Sequence, residues 1–272
     1  MKRVLLVIAA VSTGCGIDTA ASGPGSGNPA DPGDGAGPVT EVSGHLTASA
    51  TWKDTIHVVG STVIDPGATI TVMPGTTVDV GTDLTIAVSG ALDIRGTRAS
   101  KVVFRSATPD EYWIGIAVRG GTVTASYLVE VGGGLNITTG GKVALTDSHL
   151  SHTLGDLLVM AGGTLDMTYS AIGLDSGRDT THCNLHIAGA PTIAVTHSTI
   201  SAAAYGMMLY GGTNADFRST NWLGNGIDVA TEPAFPVTAN FSDSYFARGA
   251  PTYVGFTAQN MASALVADAG VR

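Results

Sequence analysis

Lys142-Val143-Ala144-Leu145-Thr146-Asp147-Ser148-His149-Leu150 is answered, one glycine-rich corner later, by Thr164-Leu165-Asp166-Met167-Thr168-Tyr169-Ser170-Ala171-Ile172. The two segments match position by position, which makes them repeats. Within each, apolar and polar residues alternate with period two, which is strand behaviour. Working outward, a Ser/Thr column emerges at Ser126, Ser148, Ser170, Ser198, Thr220 and Ser244, in successive steps of 22, 22, 28, 22 and 24. Two positions further on lies an apolar column of Leu128, Leu150, Ile172, Ile200, Trp222 and Phe246. Upstream are two more, Val143, Leu165, Ile193, Ala215 and Ala239, then Leu145, Met167, Val195, Phe217 and Phe241, with Val123 placed in the second.

Each coil also carries an earlier strand, with Ile116 and Val118, Leu158 and Met160, Leu185 and Ile187, and Met207 and Leu209 as its apolar pairs. Tight corners at Gly120-Gly121 and Gly162-Gly163 follow such pairs, as glycine allows. The widened step between Ser170 and Ser198 predicts a loop at 176–181 outside the ladder. A sandwich would space antiparallel strands roughly every 8 to 12 residues, and would not keep matching columns in register at 22. Parallel stacking does, because each coil needs its neighbours to bury its inner face. The sequence therefore predicts an all-β, right-handed parallel β-helix of eight or nine coils over residues 41–272. The segment Met261–Ala267 has helical potential and reads as a short C-terminal capping helix.

Further motifs reach back toward the N-terminus: Trp52, Thr69-Ile70-Thr71-Val72-Met73-Pro74-Gly75-Thr76, Gly90-Ala91-Leu92-Asp93-Ile94-Arg95-Gly96-Thr97, Val103-Phe104-Arg105-Ser106 and Trp113-Ile114-Gly115-Ile116. Their order resembles the opening coils of bacterial right-handed parallel β-helix repeat proteins, over about residues 50–246. The resemblance implies a pectin lyase-like fold and an exported or surface-attached protein. It implies no single activity, since one fold carries many. The corner position that holds an Asn ladder in such proteins reads Ala125, Asp147, Tyr169, His197, Ser219 and Asp243 here, so the ladder is expected on the Ser/Thr column.

Residues 1–15 have signal-peptide anatomy: Met1-Lys2-Arg3, a short apolar run from Val4 to Val11, then small residues before Cys15. The run is too short to span a bilayer. The segment resembles a lipoprotein signal, with Ser12 where Leu is usual, and implies a lipid on Cys15 and an outer-membrane or cell-surface location. Ordinary secretion or a periplasmic location is the other reading. Residues 16–40 are almost entirely Gly, Ser, Pro, Asp and Ala, too poor in apolar surface to fold. They read as a tether. Net charge is −9 and the 13 Lys and Arg are scattered, which argues against nucleic acid as a partner. The remaining Cys183 is expected to be buried.

No catalytic set, cofactor site or firm metal site is legible. Asp147 and Asp243, or Asp166 and Asp216 beside Arg218, are too dispersed for a carboxylate pair and read as solvated acids. His182 and His186 are the weak metal candidates, about 13 Å apart on an extended strand. His149 and His152 read as surface histidines without an acid, and Trp222 and Phe246 as core. The expected protein is a non-catalytic, lipid-anchored β-helix that binds polysaccharide, an envelope component or another cell. A polysaccharide lyase or glycoside hydrolase of the same fold is the rival.

Overall fold

The computed structural model describes residues 38–174, 179, 181–211, 215–232, 234, 237–249, 251 and 260–272, all within one compact unit, Ala36–Arg272. The signal segment, Cys15 and the tether up to residue 37 lie outside the described residues, and the first strand opens at Val39.

The chain is a right-handed parallel β-solenoid of about nine turns. Its first face is a nine-stranded sheet with one strand per coil, from Ala50–Trp52 to Ala239–Asn240. A second face runs from the start of Thr55–Ile64 through Thr77–Val80, Val102–Ser106, Leu128–Val131, His149–Ser151, Ala171–Ile172, Thr199–Ser201 and Asn221–Leu223 to Tyr245–Phe246. The third face begins in the second half of Thr55–Ile64 and continues through Thr85–Val88, Gly115–Val118, Leu135–Ile137, Asp156–Met160, Cys183–Gly189 and Tyr205–Gly211 to Ile227–Thr231. Strand Val39–Leu46 pairs along Thr55–Ile64 and covers the N-terminal edge, which would otherwise offer unpaired backbone to other chains.

The inward columns fill the lumen. Ile56, Val78, Phe104, Leu150, Ile172, Ile200, Trp222 and Phe246 come from the second face, all buried. The last coils are closed by rings, with Trp222 and Phe246 stacked at 5.4 Å and Phe217 and Phe241 at 5.2 Å. Such offset ring pairs add to the area they bury.

One coil departs from the column alignment. Ser126 pairs with Thr146, and Val123 pairs with Val143. The step across that coil is 20, not 22, so the sequence alignment sets everything from Val123 to Leu128 two positions out. Leu128 therefore stands beside Ser148, and Tyr127, not Ala125, heads the corner column of Asp147, Tyr169, His197, Ser219 and Asp243. All six corner residues have positive φ, from 47° to 60°, a conformation that costs a non-glycine residue free energy.

The Ser/Thr ladder is real from Ser148 onward and explains how the corner is tolerated. At the turn a backbone N–H leaves the regular strand pairing, and the hydroxyl of the next coil accepts it. Leu128 N–H donates to Ser148 Oγ (3.2 Å), Ser148 N–H to Ser170 Oγ (3.0 Å), Ser170 N–H to Ser198 Oγ (3.2 Å) and Thr220 N–H to Ser244 Oγ (3.0 Å). The hydroxyls donate in turn to carbonyls, as Ser170 Oγ does to Thr168 O at 2.9 Å, so the buried polar groups are satisfied on both sides. Ser126 lies outside this ladder and donates to Gly96 O.

The C-terminal segment is not helical. Residues 260–272 run back along the corner column as an irregular strap. Ala262 N–H donates to Ser244 O, Gly270 N–H donates to His197 O, and the Asn221 side chain both donates to Val266 O and accepts from Val266 N–H. At the end, Arg272 clamps Asp147 (Nε to Oδ1 and Nη2 to Oδ2, each 2.9 Å) and lies 3.6 Å over the Tyr169 ring. Asp147 is thus a buried, paired acid and not a solvated one, and the Arg272 guanidinium holds its carboxyl below the usual range. The insertion also departs from expectation: Asp179 and Thr181, at its end, are buried, while 175–178 and 180 lie outside the described residues.

Replacing Ser170 by Ala strips the acceptor from Ser148 N–H and should cost about 1–3 kcal/mol, read as a lower urea midpoint with an unchanged slope. An unchanged midpoint would show that the ladder is incidental.

Candidate functional site

The third face carries a polar and aromatic cluster built from three successive coils. Asp156 opens strand Asp156–Met160, and one coil later His182 and His186 bracket the start of Cys183–Gly189. His182 Nδ1 lies 2.8 Å from Asp156 Oδ1, and His186 Nδ1 lies 2.8 Å from Oδ2. One carboxylate therefore orients two imidazoles, and Nδ1 of each is the donor because a carboxylate accepts. That leaves Nε2 of each neutral ring as its acceptor. The next coil adds Tyr205, packed 5.2 Å from the His182 ring, and Tyr210, edge-on to His186 at 5.7 Å. Burial pushes the Tyr210 hydroxyl above its ordinary range.

The sequence reading sets His182, Asn184 and His186 together on the outward face. Asn184 is in fact fully buried and donates to Ser201 O at 2.7 Å, so the strand start is irregular and the two histidines are brought to a shared partner. Asp156 escapes that reading. Its pairing with Cys183 on the next coil is hidden by the insertion, and only its position beside a strand start hints at it. Among the described residues no group of three His, Cys, Asp or Glu side chains is arranged to hold a metal ion. Cys183 is fully buried with its thiol pushed up to about 12 by burial, which makes it chemically inert.

Next to Asp156, toward the N-terminus, lies a depression of about 240 Å³ lined by Arg119, Asn136, Thr138, Ile114 and Asp156 among others. Arg119, Asn136, Asp156, His186 and Tyr210 thus mark five successive coils, about 19 Å at the usual strand spacing. Elsewhere several outward acids have basic partners. Asp79 pairs with Arg105 (2.7 Å) and His57 (3.4 Å), Asp93 with Arg95 and Asp216 with Arg218. Exposed pairs of this kind contribute little to stability.

His149 and His152 differ from their sequence reading. His149 Nε2 is 2.6 Å from Gly173 O, and His152 does have an acid: Asp179 accepts its backbone N–H at 2.8 Å and lies 3.3 Å from Nδ1.

A second residue escapes the sequence entirely. Glu130 pairs with Phe104 on one side and Leu150 on the other, so it occupies the inward column of the second face, 1% exposed. Its Oε1 accepts from Gly133 N–H at 2.9 Å, and its Oε2 has no hydrogen-bond partner among the described residues. Burial, opposed by that hydrogen bond and reinforced by nearby Asp179, raises its carboxyl to about 8. The slip of this coil in the alignment sets Leu128 in the core column and leaves Glu130 without a place.

The chain matches no protein-family model, no curated protein and no solved structure. The chemistry of its faces is then the ground for a functional reading.

Glu130 makes a pH prediction. Its folded value lies above the unfolded 4.5, so between that pH and about 8 the unfolded chain releases a proton that the folded chain keeps. Stability should fall as pH rises across this window, by up to about 1.4 kcal/mol per pH unit. Glu130→Gln should flatten the slope and raise the melting temperature at pH 8. A slope identical to that of the unsubstituted protein would disprove the assignment.

Proposed function

We propose that this protein is a non-catalytic, lipid-anchored β-helix of the pectin lyase-like kind, whose third face binds polysaccharide at the cell envelope. The observation that carries the binding reading is the ordered strip of Arg119, Asn136, Asp156, His182, His186, Tyr205 and Tyr210 on a parallel face. Tyrosines supply apolar ring area with a polar handle. The pre-oriented imidazoles and the Asn and Arg side chains supply hydrogen bonds at intervals along the coil axis. A few fixed polar groups beside apolar area is the usual make-up of a specific site, and its length suits a linear chain of hydroxyl-bearing units better than a compact ligand.

The anchor rests on the sequence before Cys15 and on the tether after it; the order of motifs from Trp52 to Ile116 supports the family placement. The non-catalytic part is favoured by Asp79, Asp93 and Asp216 each being held by an arginine.

Glycan-array binding should be positive for the intact protein, and Tyr210→Ala should weaken it by roughly tenfold, about 1.4 kcal/mol, with folding unchanged. Array silence combined with turnover of a uronate polymer would replace this reading with the lyase one. For the anchor, Cys15→Ser should move the protein from the membrane fraction to the soluble one. Unchanged fractionation would rule out lipidation.

A further inference from the structure

The corner where the second face passes into the third holds two buried carboxyl groups that the binding reading does not use. Glu130, at the end of a second-face strand, points into the lumen with one oxygen on Gly133 N–H and the other without a hydrogen-bond partner among the described residues. It pairs with Leu150, two residues before His152. Two coils on from Glu130, Asp179 reaches back to the same corner. Its Oδ2 accepts from His152 N–H (2.8 Å) and its Oδ1 from Thr181 N–H (3.2 Å), while its own N–H donates to Ala202 O (2.8 Å). Asp179 thus bolts the end of the insertion to the corner, and its charge acts on Glu130.

The other ionisable groups around this corner are engaged elsewhere. Arg105 turns outward to Asp79, Glu111 bonds Thr82, and His152 lies against Asp179 and Tyr112. Once ionised, Glu130 would be a second buried anion with none of these cations turned toward it, which is a costly arrangement. Glu130 is wedged between Phe104 and Leu150 in a strand paired on both sides, whereas Asp179 lies outside any strand. Asp179 is therefore the acid that yields. Its departure would strip the acceptor from His152 and Thr181 N–H. Thr181 leads directly into His182, whose N–H donates to Gly155 O and whose ring rests on Asp156.

We propose that Glu130 and Asp179 form a pH-operated latch on the third-face site, in which ionisation of Glu130 drives Asp179 off the corner and His182 leaves Asp156 with it. This regulation rests on the third-face binding reading. In the closed latch the Glu130 carboxyl is raised to about 8, first by burial and then by Asp179. Opening relieves the second cause and releases a proton, so it is favoured as pH rises toward that value and levels off above it. The histidine pair is thus held in order in neutral and acidic media and loosened in alkaline ones.

Hydrogen exchange on the full-length protein, corrected for the intrinsic rate at each pH, reads the latch without any glycan, so its outcome stands apart from that of the array. Protection over residues 181–186 should fall by about tenfold between about pH 6 and about pH 9, while strand Thr192–Thr196 keeps its protection. Glu130→Gln should hold the 181–186 protection constant within about twofold across the same range. Should that variant fail to fold, Asp179→Asn, which keeps an acceptor for His152 N–H and removes the charge, should flatten the change likewise. Protection over 181–186 that does not vary with pH would overturn the proposal. So would a fall that persists in the folded variant, or an equal fall in Thr192–Thr196, which would mark global unfolding.

Discussion

Each coil of this solenoid hydrogen-bonds to the coil before it and the coil after it, in parallel and in register, and nearly everything else follows from that. Backbone pairing at a fixed rise forces chemically similar side chains to stand on one another, because every inward residue meets the residues directly above and below it. Where the chain must turn out of the pairing, at the left-handed corner from Tyr127 to Asp243, its N–H groups lose their strand partners. The Ser148, Ser170, Ser198 and Ser244 hydroxyls replace those partners. A polar column can be buried beside an apolar lumen because its members satisfy one another along the axis.

The same constraint decides what can be read from the sequence. Columns whose chemistry matches from coil to coil, such as Leu145, Met167, Val195, Phe217 and Phe241, declare both the repeat and its inward face even across a widened step. A coil shortened by two residues does not declare itself. The short coil between Val123 and Val143 looks like a full-length one with slightly different corners, since Ser126 and Leu128 imitate the pattern two positions away. The slip is quiet because period-two alternation survives it with every side chain on its proper face. What it loses is the identity of the neighbour, and with it Glu130 in the core column and the correct head of the corner column.

The third-face cluster is hidden for a related reason. His182 and His186 are visible as a pair, but the acid that organises them lies one coil back across an insertion whose length cannot be apportioned from sequence. The strap is harder still. Its residues contact the second face and the corner through backbone groups, and backbone leaves no mark in composition. Met261 to Ala267 read as helix because small and apolar residues favour one intrinsically. Pairing with Asn221, Ser244 and His197 overrides that preference, as tertiary context often does.

The ion pair between Arg272 and Asp147 joins residues 125 positions apart in a molecule whose other described pairings are mostly one coil long. A stack of nearest-neighbour units ordinarily frays from its ends, each terminal coil opening at a small local cost. Here Arg272 is fastened beside the fifth strand of the first face, so the later coils cannot peel away while the clasp holds. The C-terminal half is in effect a closed hoop. A pull applied at Arg272 would load the guanidinium–carboxylate bond and the Tyr169 contact first, before any strand of the ladder. Mechanical resistance at that end is thus set by one exposed arginine and the acid that receives it.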